Sequence, residues 1–99
     1  MNGYIFLMHT DVPEGNEDGG DWESYLAKLR ASGKFSGGSA IGEGACIKKA
    51  GSSAPISSHL GGYILVQAAS LSEAKKLLAG NPVFEAGGTV EIRELPRTS

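Results

Sequence analysis

The sequence predicts an α+β fold with two helices on one face of an antiparallel sheet, in the ferredoxin-like β-α-β-β-α-β order. Three observations predict it. Two short apolar runs, Tyr4-Ile5-Phe6-Leu7-Met8 and Tyr63-Ile64-Leu65-Val66-Gln67-Ala68, are too short for helices and rich in strand formers. Each run is followed by a segment with apolar residues at helical spacing. Each of those segments ends at glycine and is followed by a further strand-like stretch. Right-handed crossovers then join two strand–helix–strand units into a split arrangement with both helices on one side.

Tyr4–Met8 reads as a central strand, because it is apolar on both faces. His9 ends it. Residues 10–20, TDVPEGNEDGG, read as a polar loop. Asp21 is placed to cap the first helix, in which Trp22, Tyr25, Leu26 and Leu29 fall at i, i+3, i+4 and i+7 on one apolar face. Gly33 ends that helix. Lys34–Ile41 reads as a glycine-interrupted strand and Ala45–Lys49 as a shorter one, with a turn at Gly42–Gly44. Residues 50–60 form a second loop.

The second unit carries more punctuation. Ser70 and Glu73 form an S-x-x-E capping box. Leu71, Ala74, Leu77 and Leu78 make one stripe, Gly80 suits a left-handed cap, and Pro82 stops the helix. Thr89–Leu95 alternates as an edge or half-buried strand does. Two helices cover only one face of a sheet. Strands apolar on both faces therefore call for a second subunit on the other, so a homodimer is expected.

Composition bounds the rest. Ninety-nine residues make one domain, 1–99, and a formal charge of −2 gives no basic footprint for nucleic acid. No apolar run is long enough to span a membrane, and Met1–Met8 lacks a basic signal-peptide start. These features, with Cys46 as the single cysteine, lead to the expectation of a cytoplasmic protein.

Topology offers a candidate site. The end of strand 4–8 and the start of strand 63–68 lie at one rim of the sheet, which brings His9 near His59–Tyr63. The first helix starts at the same rim with Trp22 and Tyr25. His9 and His59 are the candidate proton-transfer groups. Trp22, Tyr25 and Tyr63 are the candidate ligand-binding residues, around a pocket between the first helix, the sheet and loops 10–20 and 50–60. The competing reading is two solvated loop histidines.

Other clusters carry less. Asp11, Glu14, Glu17, Asp18 and Asp21 lack the spacing of a calcium loop and read as a solvated acidic loop, so no metal is expected. Gly42-Glu43-Gly44 lacks the third glycine of a dinucleotide fingerprint, and no other cofactor motif is present, so no cofactor is expected either. Cys46 has no adjacent base and reads as a buried small residue.

The run GGYILVQAASLSEAKKLLAGNPVFEAGGTVEIREL combines GGY, an A-x-S-x-x-E-A helix start, N-P-V-F-E-x-G-G and V-E-I-R. It resembles the C-terminal half of the YCII-related family, also called the DGPF-domain family. LRASGKFSGGSAIG is similar to that family's L-x-x-x-G-K-x-x-G-G segment. The resemblance implies a ferredoxin-like domain that dimerises into an α/β barrel, with some relatives acting as enzymes on small molecules. It also implies an acid–base pair, a histidine near the start of the first helix and an aspartate. This sequence departs from that pattern. Trp22 and Tyr25 stand at the helix start, Asn81-Pro82 stands where some relatives have Asp-Pro, and Ser53-Ala54-Pro55-Ile56 is the nearest match to the DGPF motif. Two functions follow as expectations: a small-molecule binding or enzymatic domain, or a non-catalytic module that binds a protein partner through the same rim.

Overall fold

A computed structural model of the chain describes residues 1–16 and 21–97. The element order is β1 (Asn2–His9), α1 (Trp22–Ala31), β2 (Phe35–Ala40), β3 (Leu60–Ala68), α2 (Leu71–Lys76), α3 (Pro82–Glu85) and β4 (Val90–Leu95). The strands lie in the order β2-β3-β1-β4 and every neighbouring pair is antiparallel. This is the ferredoxin-like α+β arrangement with an open sheet.

Strand alternation divides the residues of β1 and β3 between two faces. Tyr4, Phe6 and Met8, with Ile64, Val66 and Ala68, turn toward the helices and are buried against Tyr25, Leu29, Ala74 and Leu78. Ile5, Leu7, Tyr63 and Leu65 turn to the opposite face, which carries no helix, and stay half-buried. Register places Leu7 opposite Tyr63 and Ile5 opposite Leu65, so the four form one continuous apolar area.

The sheet ends in two different edges. In β4, Glu91, Arg93 and Glu94 interrupt the apolar pattern. In β2 the ladder shifts register between Phe35 and Gly37, and Gly37 adopts φ 136°, a conformation that a side chain would strain.

Helix punctuation follows local hydrogen bonding. The Ser70 hydroxyl accepts from the Glu73 N–H at 3.2 Å, which fixes the start of α2. The Glu73 carboxylate lies 3.6 Å from Lys76 Nζ, one turn ahead. Ser70→Ala is expected to cost about 0.5–2 kcal/mol by leaving that N–H without its acceptor. A urea midpoint unchanged within error would place the helix start elsewhere.

Some sequence expectations are corrected. Ala45–Lys49 is not a strand, and Gly42–Gly44 is not a turn between two strands. Residues 41–59 instead form one exposed arm leaving the end of β2. The apolar pattern of Ala45–Lys49 finds no partner strand, and an unpaired strand does not form alone. Cys46 sits in this arm and is exposed, not buried; its carbonyl accepts from the Ser53 hydroxyl at 3.1 Å. The arm gives the molecule extents of 46 × 44 × 20 Å and a radius of gyration of 15.0 Å. A compact chain of this length has about 13 Å.

The helix expected to run to Gly80 also ends early, at Lys76. Leu71, placed on its buried stripe, is exposed. Pro82 stops one helix by starting another. Its missing N–H and fixed φ suit the first turn of α3.

Candidate functional site

The site is assembled where β1 and β3 meet the N-terminus of α1. β1 and β3 run antiparallel with a register irregularity at Met8/His9, so His9 pairs with Leu60. The Thr10 N–H donates to the His59 carbonyl at 2.8 Å, which ties the two histidine-bearing segments together. Their rings meet edge to face with centroids 4.8 Å apart. Both histidines of the chain thus share one rim.

His9 Nε2 lies 3.0 Å from Glu91 Oε1. Glu91 sits in β4 opposite Leu7, two positions along β1 from His9, on the face without helices. The second carboxylate oxygen accepts from Arg93 at 3.2 Å. The His9 contact, and then that of Arg93, holds the Glu91 carboxyl below its usual range. A carboxylate accepting Nε2–H fixes one tautomer of a neutral imidazole and leaves its lone pair on Nδ1. His9 is largely shielded, with its side chain 20% exposed. His59 is exposed.

Loop 10–16 is anchored on the turn before β4. The Asp11 carboxylate accepts from the Thr89 hydroxyl at 2.6 Å and from the Thr89 N–H at 2.8 Å, and these bonds lower its pKa. Asn16 donates to the Ala86 carbonyl at 3.2 Å. Gly88 permits the fit. A Cβ there would come within 2.7 Å of Val83 and 2.8 Å of Val12. Asp11 and Asp21 of the acidic loop thus have structural partners. Asp21 caps α1 by accepting from Glu23 N–H and the Ser24 hydroxyl. Glu17 and Asp18 lie outside the described residues.

A cleft of about 620 Å³ opens between α1 and the helix-covered face of the sheet. Trp22, Leu26 and Arg30 line its helix side, and Val12 and Val83 close one flank. Its floor runs over Gly38, Ser39, Ala40, Gly61 and Gly62. These residues contribute almost no side chain to the space beneath α1, so that space is left open. His9 and Thr10 border one end.

The expected site residues are distributed unevenly around this cleft. Trp22 lines it and is 39% exposed. Tyr25 does not line it. Its ring is buried and its hydroxyl donates to the Leu77 carbonyl at 2.8 Å, tying α1 to the end of α2. Burial raises its pKa. Tyr63 borders the cleft through β3, while alternation turns its ring toward the opposite face. Cys46 lies away from it on the arm. Among the described residues no three of His, Cys, Asp and Glu gather as a metal ion requires.

The profile of the YCII-related domain matches residues 9–98. The chain belongs to the YCII-related family. No curated protein matches it. No helix of this YCII-related chain, among its described residues, is long and apolar enough to cross a membrane. Of the residues that stand where the family resemblance implies a histidine and an aspartate, Tyr25 and Asn81 are buried here and Trp22 is exposed. The Asn81 amide partly offsets the upward push of burial on the Tyr25 hydroxyl. Its Oδ1 accepts from Val83 N–H at 3.0 Å and from Phe84 N–H at 3.1 Å, capping α3. Tyr25 thus ties α1 to α2 and Asn81 caps α3, while the imidazole–carboxylate contact of this chain lies between His9 and Glu91. Glu91 was not evident from sequence, because its meeting with His9 depends on the β1–β4 register. The strand carries Glu91, Arg93 and Glu94, so the sequence had no signal that singled out Glu91.

Proposed function

We propose that this YCII-related domain binds a small aromatic or oxygenated molecule in the cleft beneath α1, and that His9 moves a proton on it. The observation that carries this reading is that His9, held by Glu91 from the open side of the sheet, borders one end of the cleft. Glu91 orients the ring and stabilises the imidazolium that forms, and Nδ1 is the basic atom. Trp22 supplies an apolar wall. We propose also that two copies associate through their open sheet faces into an α/β barrel, which would cover Ile5, Leu7, Tyr63 and Leu65.

A thermal-shift screen of small aromatic and oxygenated compounds identifies binders. Hydrogen–deuterium exchange into a bound compound, followed by NMR in D₂O, then reads proton transfer. His9→Gln is expected to slow that exchange by about 10²–10⁴-fold, the usual contribution of a positioned acid–base group, with the thermal shift retained. A screen without a saturable shift, or exchange unchanged in His9→Gln, would remove the reading. The half-buried apolar face favours a second reading, a non-catalytic module that binds a protein partner. Co-purification with one protein and no small-molecule shift would support it.

A further inference from the structure

We infer that the molecule the cleft takes carries a carboxylate, and that Arg30 is the group that holds it. This rests on the small-molecule reading of the cleft and specifies its ligand.

The cleft has a direction. Trp22, Leu26 and Arg30 are spaced four residues apart along α1, so they form one row about 12 Å long. The sheet gives the same axis. Met8 pairs with Gly62 and Gly62 with Ala40, making one row near His9. Phe35 pairs with Val66, four residues further along β3. Histidine therefore lies at one end of the cleft and arginine at the other.

Arg30 is placed to bind rather than spent elsewhere. Its guanidinium carbon lies 5.3 Å from the centroid of the Phe35 ring. Among the described residues, Arg30 has no salt bridge and its guanidinium makes no hydrogen bond. A guanidinium resting on a ring uses a flat face, while its N–H donors radiate in its plane. That fork matches the two oxygens of a carboxylate. No aspartate or glutamate lines the cleft, and Arg30 is its sole permanent cation among the described residues. The chain carries a formal charge of −2, yet this cleft is positive at one end and apolar along its length. A planar apolar body with a short acid arm fits those demands, and the volume lies in the usual range for such sites.

A structural role makes a different forecast. Arg30 sits in the last turn of α1, where a cation favours the helix dipole, and it covers Phe35. In that role alone its loss would alter stability and leave ligand preference untouched.

Calorimetry with indole-3-acetate and its neutral isostere indole-3-acetamide separates the two. Wild type is expected to bind the acid at least about tenfold tighter than the amide, as a charge-assisted fork allows. Arg30→Gln should erase that preference while keeping amide binding. Arg30→Lys, which keeps the charge and the stem, should retain part of it if Arg30→Gln proves too unstable to measure. Equal binding of both probes by wild type, or an acid preference that survives Arg30→Gln, would overturn the role of Arg30 and leave the cleft reading in place. Failure of both probes to bind at millimolar concentration would overturn the inference together with the aromatic-ligand reading.

Discussion

Phe6→Ala is expected to cost about 3–5 kcal/mol of folding stability, the largest effect of any single side chain considered. Phe6 is fully buried on the middle strand pair, with Ile64 opposite it on β3 and Ile92 opposite it on β4. Truncation removes the transfer free energy of the ring and leaves a cavity that a paired sheet cannot close. Domains of this size hold only about 5–15 kcal/mol in total, so the variant would sit near its unfolding threshold at 25 °C. Urea titration followed by circular dichroism reads the loss as a shift of the midpoint. A loss below about 1 kcal/mol would mean that the surrounding residues repack freely, contrary to the rigid pairing of β1.

Leu65→Glu is expected to act on assembly and not on the fold. Leu65 is adjacent to Phe6 only in strand order. It faces the opposite side, opposite Ile5 on β1 and Gly37 on β2, and is half-buried in the isolated chain. A carboxylate there keeps its hydration while the chain is alone. In a face-to-face pair it would be buried without a partner, at a cost that outweighs the apolar contact it replaces. Light scattering should give about twice the 10.2 kDa chain mass for wild type and the single mass for the variant, with helix and strand content unchanged. A wild-type mass of one chain at micromolar concentration would end the dimer proposal, and a variant that stays dimeric would place the interface elsewhere.

These two residues also show how far sequence alone reaches. The run Tyr4–Met8 announces a strand buried on both faces, but its alternation does not say which set meets the helices; only the docking of α1 and α2 decides it. The same ambiguity divides α1. Tyr25 and Leu29 enter the core, whereas Trp22, Leu26 and Arg30, one step around the helix, line the cleft. A period of 3.6 marks the broad apolar face and cannot divide it. The meeting of His9 with His59 was legible, because antiparallel neighbours bring the end of one strand to the start of the next. Glu91 was not, since its partner is 82 positions away along the chain. The pattern in Ala45–Lys49 misled because strand propensity describes a surface that fits a neighbour, and no neighbour is present there.

The two edges of the sheet determine what kind of association is open to the molecule. An unguarded edge strand invites another strand to add to it, and then another, without limit. Here β4 presents Glu91, Arg93 and Glu94, charges that resist such growth, and β2 is bent at Gly37 so that its ladder cannot be continued in register. Polymerisation along the sheet is thereby discouraged on both sides. If copies pair through the open face as proposed, two faces that cover each other leave nothing for a third. The sequence of the edges thus disfavours a fibre and leaves open the closed pair proposed above.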